Sequence, residues 1–402
     1  MFKLAFRNIF RQKARSLLTL MAIILGVTGL LLSGGFVEDV FYQLREATIH
    51  SHLGHIQVYR SGYSKEGRRD PFGYLIEDPA ALAGELAVHA EIVDVLPRLT
   101  LSGLLSTGRA DMPVISEGGD ADREARLGRF ITLTAGRILT SDDYSGMMLG
   151  QGVAARLNVV PGDEVTLLMN TPEWGLNSMD FTVTGIFQTI SKDYDDNAVR
   201  INLEAARELT GTEAVHAVVL VLDDTASTDK VATLLRAQFP AVEFEIRTWL
   251  ELADFYTKTV DLYDRQFKVL QLIVLVMVLL SVANTVNLAV FERIGEFGTL
   301  MALGDNRRHI FRLVVIENLM LGVIGALAGV GVGMLLAWAI SSVGIPMPPP
   351  PNTNTGFTAL IRVTPGIALL AFAVGLFATV LASLLPARRV SRIAVATALR
   401  EN

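Results

Sequence analysis

The sequence predicts an α-helical membrane protein with four transmembrane helices and a large α+β extracytoplasmic domain inserted between helices 1 and 2. The 402-residue chain is 51% hydrophobic with a mean hydropathy of +0.41, which is more apolar than an average globular protein. Its apolar residues form long runs, and a helix needs about 20 apolar residues to cross a bilayer. The predicted spans are 16–36, 269–290, 313–343 and 366–385.

The polar segment 37–248 carries the patterns of a folded α+β domain. His55–Tyr59 alternates like a strand, and Asp78–Glu91 has a helical pattern with a proline in its first turn. Residues 249–268 are half apolar and continue without a helix breaker into the second span. We therefore predict a stalk helix continuous with that span; the alternative is a hinge near Gln266.

The distribution of basic residues predicts the orientation of the chain. Lysines and arginines precede the first span, lie between the second and third spans, and follow the fourth, so these segments are expected in the cytosol. Residues 1–15 are predicted to form an amphipathic elbow helix at the headgroups, with a simple basic flank as the alternative. The cytosolic tail, 386–402, begins where Pro386 is expected to end the fourth span. The 37–248 domain and the outer loop 344–365 then lie outside.

The segment 291–312 between the second and third spans is predicted to hold a short amphipathic helix on the membrane surface. Its apolar stripe includes Phe297. Gly304 supplies a left-handed residue that ends the helix, and Asp305 or Asn306 can cap the next one. The alternative is a solvated loop with a surface-lying helix.

The letters ERIGEFGTLMALG at 292–304 resemble the ERxxEIGxLxAxG signature of ABC permeases of the FtsX, macrolide-exporter and lipoprotein-release superfamily. Phe297 departs from the aliphatic residue usual there. Residues 149–168, followed by VTGIF at 183–187, are similar to the periplasmic domain of lipoprotein-release permeases. The tail resembles the ending PARRAARxxPxxALR, but 393–395 lack its usual proline.

This resemblance implies that the helix of 291–304 is a coupling helix that docks into a groove of an ATPase. A docked coupling helix would be displaced when the ATPases close on ATP. The residues implied in coupling are Glu292, Arg293, Glu296, Phe297, Gly298, Leu300, Ala302, Leu303, Gly304, Arg307 and Arg308.

Small and polar residues at helical spacing indicate where the spans pack. Small residues four apart allow close approach of two helices in lipid. Polar residues three apart in the second span share one face, which we expect to point inward rather than to lipid. The predicted packing and dimer-interface residues are Gly26, Gly29, Ser33, Ser281, Asn284, Asn287, Gly325, Gly329 and Gly333.

Motifs for catalysis and for cofactor or metal binding are not apparent. No lysine follows a glycine, as a phosphate-binding loop requires, so no nucleotide site of that type is expected here. The resemblance to the permeases then implies that ATP and Mg²⁺ bind a partner ATPase. The net charge of −6 and the lack of a basic aromatic stripe argue against nucleic acid. The chain has no cysteine, and neither the histidines at 50, 52 and 55 nor the acidic run 193–197 completes a metal site.

The resemblance implies a permease subunit of an ATP-driven transporter in a bacterial inner membrane, which transmits ATPase motion to a periplasmic domain. The implied partners are an ATPase dimer, a second permease copy or paralogue, a periplasmic chaperone or adaptor, and membrane lipids. Three functions stay open: release of lipoprotein or lipid-like cargo, efflux of drugs or peptides with an adaptor, and regulation of an outer hydrolase without transport.

Overall fold

The computed structural model describes residues 13–67, 69–171, 175–349 and 356–391. Residues 1–12 of the predicted elbow helix lie outside this part of the chain, and so does the predicted tail beyond residue 391. The described chain begins with helix α1, Lys13–Thr48, which continues into one π-helical turn, Ile49–Leu53. The chain divides into a helical unit and an α/β domain; the core of the latter is Gln43–Thr259.

The α/β domain contains a ten-stranded sheet and several short helices. Its strands are β1 Ile56–Arg60, β2 Ile92–Ser106, β3 Asp111–Gly119, β4 Thr132–Gly136, β5 Gly146–Gly150, β6 Glu164–Asn170, β7 Leu176–Gln188, β8 Ala198–Asn202, β9 Ala217–Leu222 and β10 Phe244–Thr248. Its helices are α2 Tyr63–Glu66, α3 Pro79–Leu86, α4 Ala121–Leu127, α5 Gln151–Leu157, α6 Lys192–Asp195, α7 Leu203–Thr210, α8 Thr228–Gln238 and α9 Trp249–Leu252, with 3₁₀ turns at Pro71–Tyr74 and Thr225–Ser227.

The sheet is mixed, with the strand order β10-β1-β9-β2-β3-β8-β5-β7-β4, while β6 pairs with β2 and β7. β8 runs parallel to β3, and β5 runs parallel to β7. In β3 buried and exposed residues alternate, so one face of that strand packs on the core. The core includes Leu99, Leu149 and Val218, all fully buried.

Three elements of this domain differ from the sequence-based expectation. The helix predicted over 78–91 ends at Leu86, because Val88 is 81% exposed and the apolar spacing does not continue. β7 covers Leu176–Gln188, whereas the sequence pattern predicts a strand over Phe181–Ile190. β8 was not predicted, because all five of its residues are buried and it therefore lacks the alternation that marks a half-exposed strand.

The helical unit is built mainly from long apolar helices. After α9 the chain forms α10 Asp254–Phe291, α11 Ile294–Ala302, α12 Arg307–Val343, the short strands β11 Ile345–Met347 and β12 Phe357–Ala359, and α13 Pro365–Val390. By length and composition, α1, α10, α12 and α13 are each able to cross a membrane. The prediction of four apolar spanning helices together with a large domain of strands and helices is confirmed to that extent.

The start of α10 and the end of α13 differ from the predicted helix boundaries. α10 runs unbroken through Gln266, and the interruption falls instead at Ala253, whose φ of −91° and ψ of 64° are not helical. Its 38 residues span about 57 Å at 1.5 Å per residue. α13 does not end at Pro386, as predicted, but continues to Val390. The buried Pro386 lacks an N–H, yet the turn after it is closed by the Ser391 N–H, which donates to Ala387 O.

Candidate functional site

The loop between α10 and α12 is shaped by α11 and by the tight turn that follows it. Gly304 has a φ of +104°, as predicted for a residue that stops a helix. The Asp305 N–H reaches back to Leu300 O at 3.1 Å and closes the end of α11. Asn306 is the N-cap residue of α12, although its side chain makes no capping hydrogen bond. The turn therefore fixes the connection between α11 and α12.

α11 has one buried face and one exposed face, and this divides the predicted coupling residues. Phe297 is 1% exposed and belongs to the core of the helical unit together with Ile310 and Val314. Leu303, by contrast, is 81% exposed. Of the predicted set, Arg293, Phe297 and Gly298 are buried, Glu296 and Leu300 are intermediate, and Glu292, Ala302, Leu303, Gly304, Arg307 and Arg308 are exposed.

Arg293 joins the start of α11 to α12 through a buried ion pair. Its Nη1 lies 2.8 and 2.9 Å from the two carboxylate oxygens of Glu317, and its Nε lies 3.1 Å from Glu296 Oε2. The guanidinium also lies over the Phe297 ring, 5.0 Å from its centroid. Burial disfavours the charged form, but the carboxylates of Glu317 and Glu296 more than offset it and raise the pKa of Arg293.

Glu317 was not assigned a role from the sequence, although a signal for one was present. It is a single acidic residue in the N-terminal third of α12, within an otherwise largely apolar stretch. A carboxylate in such a segment needs a cationic partner, because an unpaired charge there is costly. The motif at 292–304 supplies that partner in Arg293, so pairing the two features would have identified the contact.

The predicted glycine stripe of α12 packs against α1. A Cβ at Gly325 would lie 2.9 Å from Ile23, and one at Gly329 would lie 2.8 Å from Val27 Cβ. Gly333 faces Leu31 in the same way. Thr28 Oγ1 adds a hydrogen bond of 3.0 Å to Gly329 O. These three glycines of α12 therefore lie close against α1 of the same chain.

The other predicted packing residues differ in how far the single chain buries them. In α10, Ser281 and Asn284 are exposed and Asn287 is half-buried, so the single chain does not bury the face that was expected to point inward. In α1, Gly26 is buried and the Ser33 hydroxyl donates to Leu30 O. A Cβ at Gly29 would meet no described atom within 4 Å.

Two buried arginines of the α/β domain hold the π-helical turn that extends α1. Arg200 Nη2 donates to Ser51 O at 2.8 Å, and Arg98 Nη1 donates to His52 O. Guanidinium groups suit this position because the carbonyls at a helix C-terminus carry partial negative charge. We call these two arginines and the turn Ile49–Leu53 the arginine clamp.

Acidic partners neutralise the arginine clamp. Arg98 makes a two-pronged ion pair with Glu124, with distances of 2.9 and 2.8 Å. Arg200 contacts the Tyr194 hydroxyl, which donates to Glu117 at 2.6 Å. The sequence analysis missed this network, although an arginine in the middle of a buried strand requires such partners.

The histidines and acidic residues considered as metal ligands have other roles. His55 Nδ1 accepts from the Leu222 N–H, and its Nε2 lies 3.1 Å from Thr225 Oγ1. Asp195 accepts from the Thr189 N–H and hydroxyl. Within the described ranges, no three His, Cys, Asp or Glu side chains come together as a metal site.

Comparisons with known proteins agree with these features. The MacB-like periplasmic core domain matches residues 16–238, and the FtsX-like permease C-terminal domain matches 268–395. Three relatives share 24–25% identity with the chain. They are an uncharacterized ABC transporter permease of Methanocaldococcus jannaschii (52% of each chain covered), the macrolide export ATP-binding/permease protein MacB of Hyphomonas neptunium (99% of this chain, 60% of that one) and the lipoprotein-releasing system transmembrane protein LolC of Neisseria meningitidis (82% and 78%).

The chain thus spans between about half and four fifths of the length of these relatives. The periplasmic-core match covers more than half of the 402 residues, and the permease match covers three of the four apolar helices. The chain belongs to the FtsX-like ABC transporter permeases that carry a MacB-like periplasmic core domain.

Proposed function

We propose that this chain is the permease subunit of an ATP-driven transporter, and that it transmits ATPase motion to its α/β domain. One observation carries the proposal. The Arg293–Glu317 ion pair fixes α11 to α12, while the opposite face of α11 is exposed. An exposed helix that is rigidly attached to a spanning helix can pass a displacement to it. ATP and Mg²⁺ are proposed to bind the separate ATPase subunits.

The docking surface for the ATPase consists of the exposed members of the predicted coupling set. Leu303 would enter a groove of the ATPase as an apolar anchor, because burying a large apolar side chain contributes about 1.5–3 kcal/mol. Arg307 and Arg308, exposed at the start of α12, add positive charge beside it. The buried members Arg293, Phe297 and Gly298 hold the helix in place and do not touch the partner.

Motion of α12 reaches the α/β domain through α1 in this proposal. The glycine stripe of α12 brings it into close contact with α1, so a shift of one helix displaces the other. α1 continues into the π-helical turn, where Arg98 and Arg200 hold the carbonyls of His52 and Ser51. α10, which is unbroken from Asp254 to Phe291, provides a second connection.

A second permease copy, identical or paralogous, is proposed to cover the polar face of α10. Ser281 and Asn284 are exposed in the single chain, although amides and hydroxyls in a bilayer interior favour protein partners over lipid. Two permease chains would then match a dimer of ATPases. We further propose, from the basic residues that flank the spans, that both termini and the α11 loop lie in the cytosol and the α/β domain in the periplasm.

Lipoprotein or lipid-like cargo is the first candidate for what is moved. It is supported by the match to the lipoprotein-releasing protein LolC over 78% of that protein's length. Export of a drug or peptide with a periplasmic adaptor is the second candidate, because the match to the macrolide export protein MacB covers 99% of this chain.

Proteoliposomes that contain the chain with its ATPase subunit test the proposal. Release of a fluorescent lipoprotein that requires ATP hydrolysis is the expected result. Macrolide-stimulated ATPase activity without lipoprotein release would favour the second cargo. ATP hydrolysis that moves neither class of cargo would contradict transport as the function.

The orientation is tested separately with single cysteines, since the natural chain has none. Leu303→Cys and Val242→Cys place thiols at residues that are 81% and 92% exposed. A membrane-impermeant maleimide added to the outside of spheroplasts should label Val242→Cys and leave Leu303→Cys unlabelled. Labelling of both from the same side would contradict the proposed orientation.

A further inference from the structure

The α/β domain contains a cavity that the proposed transmission of motion does not use. It has a volume of about 590 Å³ and lies among α2, the 3₁₀ turn Pro71–Tyr74, and the strands β2 and β3. This volume is within the range of pockets that hold small molecules in proteins. Its lining combines aromatic rings, arginines and uncharged polar groups.

One wall of the cavity is aromatic. The rings of Tyr59 and Tyr63 are stacked, with centroids 4.8 Å apart and planes inclined by 10°. Phe72 also lines the cavity. Behind this wall, the His216 ring lies 5.8 Å from the rings of both Tyr63 and Phe72. Such a wall is suited to the flat face of a ring, because offset aromatic stacking is favourable.

His216 supports this wall from behind. Its Nδ1 accepts from the Thr100 N–H at 3.1 Å, so the neutral ring carries its proton on Nε2. The ring is 1% exposed and interacts with the backbone of Pro71, at the start of the 3₁₀ turn. His216 therefore fixes the position of the wall and does not itself line the cavity.

The charge of the lining is positive. Arg69 and Arg247 both line the cavity, and Asp70 is the one carboxylate of the lining; outside it, Glu66 lies 3.9 Å from Arg69 and Glu245 lies 2.6 Å from Arg247. Asp70 is occupied as the cap of the 3₁₀ turn, where it accepts from the Gly73 N–H at 3.1 Å. Arg247 is held in place by Ser64 Oγ at 3.0 Å and by Glu245 at 2.6 Å.

We infer that this cavity is a binding site for a small organic anion with a planar ring, such as an aromatic carboxylate. The ring lies against Tyr59, Tyr63 and Phe72, and the carboxylate is bound by the guanidinium groups of Arg247 and Arg69. A guanidinium carries several N–H donors, so Arg247 can bind a carboxylate while Ser64 and Glu245 hold it in place. This site needs neither the ATPase nor a second copy of the chain.

The test is calorimetric titration of 2-naphthoate into the full chain in lipid nanodiscs, with empty nanodiscs as the blank. Saturable binding of one naphthoate per chain is expected. Naphthalene-2-methanol, which lacks the charge, and cyclohexanecarboxylate, which lacks the flat ring, should each bind at least about tenfold more weakly. Equal affinity for either analogue, or the absence of saturable binding, would overturn the inference.

Substitutions of the lining residues test whether naphthoate binds in this cavity. Arg247→Gln should weaken naphthoate binding about tenfold or more, whereas Arg129→Gln, at an exposed arginine outside the lining, should leave it unchanged. Tyr63→Leu should weaken binding and Tyr63→Phe should retain it, so a general folding defect is distinguished from loss of the ring. Unchanged affinity in Arg247→Gln contradicts the assigned anion contact. Because no ATPase is present, this outcome is independent of the proposed transport.

Discussion

Replacing Arg293 with glutamine should uncouple the permease from its ATPase. The substitution removes the guanidinium that binds both oxygens of Glu317 and leaves that carboxylate, with its side chain 13% exposed, without a cation. Breaking a buried ion pair in this way costs about 3–5 kcal/mol. The contact with Glu296, which is 40% exposed, adds at most about 1 kcal/mol.

This magnitude decides whether α11 stays attached to α12. At about 1.4 kcal/mol per tenfold, a loss of 3 kcal/mol lowers the equilibrium for the attached helix by about two orders of magnitude. ATP hydrolysis should then continue while cargo release per ATP falls at least about tenfold. The assay is cargo release and phosphate production measured together in proteoliposomes, with Arg109→Gln, at an exposed arginine of the α/β domain, as the matched control.

The double variant Arg293→Glu with Glu317→Arg separates coupling from simple damage. It restores opposite charges at the same two positions, so it should recover part of the coupling that either single substitution loses. Release per ATP within twofold of the parent in Arg293→Gln would refute the reasoning. A double variant that is folded, yet no better than the single ones, would refute the pairwise origin of the effect.

Three further predictions address packing, pairing and pH. Gly329→Leu should destabilise the contact of α12 with α1 by about 1–3 kcal/mol and lower the melting temperature in detergent, whereas Gly331→Leu, where a Cβ meets no described atom within 4 Å, should not. Asn284→Cys should form a disulfide between two copies on mild oxidation, unlike Trp338→Cys on exposed α12 surface; equal yields would contradict the proposed pairing face. Because burial lowers the pKa of His216 from 6.5 to about 4, the unfolded chain is protonated first on acidification. The free energy of unfolding therefore falls between about pH 6.5 and 4. His216→Gln should reduce this fall by up to about 3 kcal/mol. A variant with the same pH dependence of unfolding as the parent would contradict this role of His216.

Much of the helical unit could be predicted from the sequence because lipid imposes simple rules. Long apolar runs predicted four spans, and helices of sufficient length and hydropathy are found at each. The spacing of Gly325, Gly329 and Gly333 predicted close helix packing, and the structure identifies α1 as the partner. Periodicity gives the face of a helix but not its neighbour, so the partner itself could not be predicted.

The contacts that hold the candidate site together were harder to predict. Arg293 and Glu317 are 24 residues apart, and the residues of the arginine clamp are more distant still, so no local pattern relates them. Phe297, on the apolar stripe of α11, was included among the residues that couple to an ATPase, but it is buried in the same chain. An amphipathic pattern shows that one face is covered, without showing whether the cover is the chain itself or a partner.

The measurement closest to the central claim is the distance between the two α/β domains of a permease dimer during the ATP cycle. Val242→Cys offers an exposed site for a spin label in an otherwise cysteine-free chain, and pulsed electron paramagnetic resonance gives the distance between the two labels. The distance distribution should change between the ADP-bound and vanadate-trapped ATP states, and Arg293→Gln should abolish the change. Identical distributions in both states of the parent complex would contradict transmission of ATPase motion to the outer domain.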